Sequence, residues 1–275
     1  MNNDLKKILN YLNEKRGFDF SGYRTPMIER RFKHRFALTK CKNFKSYLTY
    51  LKNNPSELDN LISALTINVS RFFRDTLVFE YIADKVIPAI IHQKKQKNDP
   101  SLRIWSAGCA MGEEPYTIAI LIQDFFKKEA QYFQVNIFAT DIEKKILKKA
   151  EKAVYPLESI EGVKYRLLNK YFTAKENLFH LISEIKNLVS FSVYDILDRK
   201  ISTPSESIYG DFDLVFCRNV LIYFDSEHQD QIFGKLYRAL AQSGYLVLGE
   251  AETPSRKYQR YFQRVNDCCH IYRKI

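Results

Sequence analysis

Apolar residues in the first quarter of the chain recur at helical spacing. Leu5, Ile8, Leu9 and Leu12 fall on one helix face. Gly17 and Gly22 break the pattern, and Pro26 then opens a second helix predicted over 27–38. Ile28, Phe32 and Phe36 make its apolar stripe. Further helices are predicted over 43–53 and 57–65, the latter starting after Pro55. The stretch 66–75 embeds Asn68, Ser70, Arg71 and Arg74 among Val69, Phe72 and Phe73. Asn68 or Ser70 could cap a helix there. A helix over 76–91 follows, with Phe79, Ile82, Val86 and Ile90 buried.

Beyond residue 100 the pattern alternates between strand and helix. A short β-rich strand at 102–106 leads through a loop of small residues, 107–112, into a helix over 116–126. A second strand is predicted over 134–141 and a helix over 142–150. Residues 155–188 interrupt the alternation, with a helix at 165–171 and a strand-like run at 177–182. That run is expected to pair with a neighbour as a small antiparallel outcrop, a β insertion near 172–193. Residues 189–193 should enter the main sheet as strand three, ending at Tyr194-Asp195. Strand four is predicted over 211–217, a helix over 226–241, and strand five over 244–249 after a turn at Ser243-Gly244. Two short strands flank Asn266-Asp267, a turn-forming pair. The expected fold is α/β: a mainly parallel, doubly wound sheet closed by an antiparallel hairpin, preceded by an all-α domain. The boundary is drawn between 1–75 and 76–275.

Composition bounds this picture. The 275 residues suit one large domain or two modest ones, and 45 % hydrophobic with 27 % charged residues describes an ordinary globular protein. No run approaches the roughly 18 apolar residues of a membrane span. The start, Met1-Asn-Asn-Asp-Leu-Lys-Lys7, lacks the apolar core of a signal peptide. Five cysteines, with no C-x-x-C pair, favour a reducing cytoplasm and argue against a zinc site or disulfide framework, so no metal is expected. The net charge of +11 suggests an anionic partner. Residues 1–75 hold fifteen Lys/Arg against seven Asp/Glu, so most of the excess lies there. Arg24, Arg30, Arg31, Lys33 and Arg35 crowd one short stretch with only Glu29 opposing them. That stretch is either a solvated helix face or a docking surface.

The loop after the first strand carries the chemistry. Ala107 and Gly108 begin a segment in which a ligand can approach the backbone closely. No G-x-G-x-x-G and no phosphate-loop lysine occurs. Glu113 and Glu114 stand instead where a phosphate would dock. Acids at a helix N-terminus repel polyphosphate and suit a ligand carrying cations, such as S-adenosylmethionine. Asp141, at the end of strand two, can accept both hydroxyls of a ribose. It can equally cap the following helix, and the two roles are compatible.

Five segments, in this order, resemble the CheR family of chemotaxis-receptor glutamate methyltransferases. They are Asn68-Val-Ser-Arg-Phe-Phe-Arg74, Trp105-Ser-Ala-Gly-Cys-Ala-Met-Gly-Glu-Glu-Pro-Tyr116, Ala139-Thr-Asp141, Phe216-Cys-Arg-Asn-Val-Leu-Ile-Tyr-Phe-Asp225 and Gly244-Tyr-Leu-Val-Leu-Gly-Glu250. The likeness spans nearly the whole chain, and Cys217 to Phe224 is its most specific part. It implies the seven-stranded sheet of class I S-adenosylmethionine-dependent methyltransferases behind a basic helical domain. It implies cofactor contacts at Asn68, Ser70, Arg74, Ala107, Gly108, Glu114, Asp141, Asp195, Ile196, Arg218 and Asn219. Glu114 suits a cationic amino group and Arg74 a carboxylate. Ser70 stands where threonine is common, Asp195 where asparagine is common, and Met111 where a small polar residue is common.

The resemblance also implies the reaction: methyl transfer to glutamate side chains of chemoreceptor cytoplasmic domains, leaving a methyl ester and S-adenosylhomocysteine. A glutamate carboxylate is ionised at neutral pH and needs no general base. Alignment and a dry site should supply most of the acceleration. Arg74 and Tyr223 are the expected positioning residues. Tyr223 could otherwise be a core tyrosine in an apolar run. The expected partner is the receptor helical bundle, met through the basic helix by a monomeric enzyme without nucleic acid or membrane insertion. A nucleic-acid methyltransferase and a non-catalytic S-adenosylmethionine-binding adaptor are the competing readings. The absence of Asn-Pro-Pro-Tyr and of an RNA-binding module speaks against the first, and intact Arg74, Asp141 and Tyr223 against the second.

Overall fold

The computed structural model describes residues 2–66, 70–126, 132–198, 203–204, 207 and 210–275. Asn68, an expected cofactor contact, lies outside them. The chain forms two compact units, Met1–Asn68 with Ile222–Gln229, and Val69–Leu221 with Asp230–Ile275. The division falls ahead of the boundary drawn after residue 75, because Phe72 and Phe73 are buried in the larger unit's core.

The smaller unit holds α1 (Asn3–Arg16), α2 (Thr25–Thr39), α3 (Phe44–Asn53) and α4 (Pro55–Leu65). Gly17 ends α1 in the left-handed conformation, at φ 74°. Asn43 starts α3 through a reciprocal capping box with Ser46. The predicted stripes converge: Leu5, Ile8, Leu12, Ile28, Phe32, Tyr47, Leu51 and Leu61 are all fully buried. One charged group enters this core. The Glu57 carboxylate accepts both Arg35 Nε (2.9 Å) and Nη2 (2.6 Å), and the Tyr47 hydroxyl at 2.6 Å. Burial alone would raise the Glu57 pKa, but hydrogen bonds from Arg35, Tyr47 and Asn60 outweigh it and hold the carboxyl low. Arg35, an expected docking residue, is therefore committed inward.

In the larger unit α5 (Thr76–Tyr81) and α6 (Ile87–Gln96) are one helix interrupted by a π turn at Ile82–Val86. Pro88 offers no N–H to the preceding turn, and the wider turn ahead of it absorbs the mismatch. No helix starts within 70–75. Phe73 and Asp75 take positive φ (54° and 61°), and the backbone there finds other partners. Phe72 N–H donates to Ser159 O (2.9 Å) and Phe73 N–H to Thr117 Oγ1 (3.1 Å).

The main sheet runs β6 (Val189–Val193), β2 (Gln134–Asp141), β1 (Ser101–Ala107), β7 (Phe212–Cys217), β8 (Leu240–Leu248), β10 (Ile271–Lys274), β9 (Phe262–Arg264). The first five are parallel, and β10 is antiparallel to both neighbours. This is the seven-stranded arrangement expected of class I methyltransferases. Runs such as Phe212–Cys217 are buried throughout because helices cover the sheet. Asp213 is tolerated in that run because Arg103 N–H (2.9 Å) and Lys94 Nζ (2.9 Å) satisfy its carboxylate. A second sheet of β3 (Val154–Tyr155), β5 (Leu178–Leu181) and β4 (Phe172–Lys175) is the expected outcrop, with one strand more than the sequence suggested. The helix after β1, α7, spans Glu113–Phe125 and is buried on nearly all sides in its first three turns.

Candidate active site

In doubly wound sheets ligands bind beyond the carboxyl ends of the strands, where β1 and β2 part from β7. Three loops meet there within the larger unit. The first follows β1. Gly108 and Cys109 both donate N–H to Thr140 O (2.8 and 2.9 Å), and Ala110 N–H donates to Asp141 Oδ2 at 3.0 Å. Gly108 has φ 73°, and a Cβ there would lie 2.5 Å from Val220 Cγ2. Gly108 is exposed while Ala107 is buried, so the loop offers backbone, not side chains, to a ligand.

Asp141 ends β2, and its other oxygen accepts Glu143 N–H at 3.0 Å. The sequence left ribose binding and helix capping open. The following helix, α8 (Lys144–Lys152), begins later than predicted and takes no side-chain cap. Asp141 instead ties the two loops together. Burial pushes its pKa up, against the pull of the Glu143 and Ala110 amides. Its backbone oxygen accepts Tyr194 N–H (3.0 Å), which draws the Asp195–Asp198 turn alongside. There Asp195 accepts Leu197 N–H at 2.8 Å, and Asp195 and Ile196 are both half-buried.

The third group centres on Arg218. Its side chain is 2 % exposed and reaches Asp75 Oδ2 (2.5 Å), Arg74 O (3.1 Å) and Glu114 Oε2 (3.2 Å), with Phe79's ring 5.3 Å away. Glu114 Oε1 accepts Ser106 Oγ at 2.8 Å. Burial raises the Glu114 pKa and the Arg218 charge opposes this. Arg218 thus lies in the wall behind the site, where the resemblance implied a direct cofactor contact. Its buried cation must face carboxylates, and Asp75 ahead of α5 and Glu114 in the first turn of α7 supply two. Arg74 is half-buried on the loop that Arg218 anchors, and its charge is felt at Glu114. Ser70 begins that loop and is also half-buried. Glu113, expected beside Glu114 at a ligand, points away. It is fully buried, 3.5 Å from Ser159 Oγ, and desolvation raises its pKa to about 7.

Asn219 has φ 59°, and its N–H donates to Glu252 Oε2 at 2.8 Å. Glu252 also accepts Leu221 N–H (2.7 Å) and Gly249 N–H (2.7 Å). Glu252, Asp75 and Ser106 were missed in the sequence. Nothing local marks Glu252, since its three donors come together only when β7 and β8 pair. The larger unit thus gathers Ser70, Arg74, Ala107, Gly108, Glu114, Asp141, Asp195, Ile196 and Asn219, with Arg218 behind them. Tyr223 belongs to the smaller unit and is half-buried, so it is not a core tyrosine. Of the basic residues of α2, Arg30 and Lys33 are exposed, and Arg31 is half-buried with its Nε unpaired. Arg24 directs Nε to Phe224 O at 2.9 Å.

These buried, desolvated carboxylates beside an exposed glycine backbone fit a ligand with cationic and hydroxyl groups. Comparison with known proteins agrees. Residues 3–66 match the CheR methyltransferase all-alpha domain and 68–269 the CheR methyltransferase SAM binding domain. A chemotaxis protein methyltransferase of Borreliella burgdorferi is 30 % identical, covering 91 % of this chain and 88 % of its own length. Chemotaxis protein methyltransferase 2 of Vibrio cholerae is 32 % identical (92 % and 86 %), and the Salmonella typhimurium enzyme 29 % (94 % and 86 %).

Proposed function

The chain belongs to the CheR methyltransferase family, and from that premise we propose that it methylates glutamate side chains of chemoreceptor cytoplasmic domains. The methyl donor is S-adenosylmethionine, which when bound supplies an electrophilic methyl on a sulfonium. Asp141 would take the ribose hydroxyls, and the Gly108 backbone would lie against the ligand. Glu114, with one lone pair left on each oxygen, would face the amino group. Asp195 and Ile196 would border the base. Ser70, Ala107, Asn219 and Asn68 complete the proposed contacts, and Arg218 acts through Glu114 and Asp75.

The residues contribute by binding and orientation. Arg74 would hold a carboxylate, and Tyr223 would orient the reacting groups. No side chain need remove a proton, because the acceptor is ionised near pH 7. Docking of the receptor helical bundle would use Arg30, Arg31 and Lys33 on α2, with a monomeric enzyme acting in the cytoplasm. No described helix is long and apolar enough to cross a membrane.

The observation that carries this reading is the pairing of Asp141 with the Ala110 amide, which builds strand-two acid and strand-one loop into one ligand-facing edge. The deciding experiment is transfer of labelled methyl to receptor cytoplasmic fragments and, in parallel, to RNA. Base-labile label on the receptor fragment supports the reading. Base-stable label, or label on RNA alone, overturns it.

A further inference from the structure

Segment 222–229 is built into the smaller unit by a short ladder. Tyr23 pairs antiparallel with Phe224. Arg24 N–H donates to Tyr223 O (2.9 Å), and Asp225 N–H donates to Gly22 O (3.1 Å). The Arg24 side chain adds a third bond, from Nε to Phe224 O. The Tyr23 and Phe224 rings pack edge to face at 4.7 Å, and Phe20 supports Tyr23 at 4.9 Å. Gly22 permits this closeness: a Cβ there would meet the His228 ring at 2.5 Å. Both peptide groups flanking Phe224 and its side chain are thereby fixed. Arg24 is also the residue on which α2 starts, since Met27 and Ile28 N–H both donate to its carbonyl. One residue therefore ends the ladder and begins the basic helix.

We infer that Arg24 is a positioning residue for Tyr223, seating the Tyr223–Asp225 backbone on the helical unit, and not merely one more docking cation. The inference rests on the reading of Tyr223 as a residue that orients the reactants. A docking cation acts through its charge, with no need of a fixed donor. A seat acts through one N–H at a fixed place and is insensitive to the charge beyond it. Methionine and glutamine separate the two. Both are uncharged, but only glutamine carries an N–H donor at the position along the side chain where Arg24 has Nε.

The experiment measures single-turnover methylation of a receptor cytoplasmic fragment, its KM, and hydrogen exchange at the Asp225 amide in Arg24→Met, Arg24→Gln and Tyr223→Phe. Arg24→Met should lower turnover roughly three- to tenfold, the size of one hydrogen bond, and speed exchange at Asp225. Arg24→Gln should recover most of both. A raised KM with unchanged turnover in both Arg24 variants would make Arg24 a docking cation and overturn the inference. Unchanged exchange at Asp225, with Tyr223→Phe impaired, overturns the seat alone. Wild-type turnover in Tyr223→Phe overturns the reading of Tyr223 and, with it, the catalytic meaning of the seat.

Discussion

Glu252 Oε2 accepts the backbone N–H of Asn219 at 2.8 Å, thirty-three positions earlier in the chain. Its other oxygen takes Leu221 N–H, and Gly249 N–H shares the first. A single carboxylate therefore holds Asn219 in its left-handed turn at the end of β7. Three N–H donors around a buried acid need an acceptor-only group. Glu252→Gln would turn an NH2 toward at least one of them, at a cost of about 1–3 kcal/mol for each group left unpaired. The expected outcome is a folded protein with a lowered Tm and weakened methyl transfer. Wild-type turnover with wild-type stability would show that the loop holds its shape without Glu252.

Gly108 and Val220 make the next joint. Gly108 sits at φ 73°, and a Cβ would lie 2.5 Å from Val220 Cγ2. Gly108→Ala should cost about 1–2 kcal/mol for the left-handed backbone alone, with the clash added. It should weaken S-adenosylmethionine binding by calorimetry. Val220→Ala in the same chain should restore part of the affinity by removing the clash but not the backbone cost. No recovery in the double variant would mean that the backbone term dominates.

Asp141 joins the β1 loop to β2 and is proposed to hold the ribose. Asp141→Ala should weaken S-adenosylmethionine and S-adenosylhomocysteine alike, by about 1.5–3 kcal/mol for a charge-assisted hydrogen bond. Equal losses point to the shared ribose. Equal affinity with wild type would leave Asp141 as a tie for the Ala110 amide only.

The basic helix yields two different outcomes from similar residues. Arg30 and Lys33 are exposed, whereas Arg35 is locked onto Glu57 and Tyr47. Reversing Arg30 and Lys33 to Glu should slow receptor methylation at least about tenfold at low salt and flatten its salt dependence, as for a steering surface. Cofactor affinity should not move. Arg35→Glu should instead destabilise the helical unit by about 3–5 kcal/mol, because it leaves Glu57 buried without its cation. Receptor kinetics unaltered in the Arg30, Lys33 variant would remove the docking role.

These residues also mark how far the sequence could be read. The period-3.6 pattern placed the helices of the smaller unit, because each buries one stripe, and short apolar β-rich runs placed the strands of the main sheet, because helices cover it and bury those runs almost throughout. Asp141 and Glu114 were legible since they stand at the ends of predicted elements. Arg35 was not separable from Arg30 by charge alone, as the distinction lies in which helix face meets Glu57. Arg218 and Glu252 were invisible as supports because their partners, Asp75 and Asn219, reach them only through tertiary contact. The π turn before Pro88 follows from a missing N–H, but its site within a helix of uniform periodicity leaves no pattern.

Glu113 gives the sharpest dependence on pH. It opens α7, is fully buried, and has one oxygen without a hydrogen bond. Burial lifts its pKa from 4.5 in the unfolded chain to about 7 in the fold. Between those values the folded protein carries a proton that the unfolded chain has released. Stability therefore falls as pH rises. The contribution is fully present below about 4.5 and is lost as pH passes 7. The gap corresponds to roughly 3 kcal/mol. Glu113→Gln keeps the neutral shape at every pH. Its Tm should match wild type near pH 4, exceed it increasingly as pH rises to about 7, and keep a roughly constant excess from there to pH 8.5. The effect should reach the site, because Ser159, beside Glu113, carries the carbonyl that holds Phe72 N–H on the Arg74 loop. Parallel Tm curves for Glu113→Gln and wild type across this range would show that Glu113 does not titrate there.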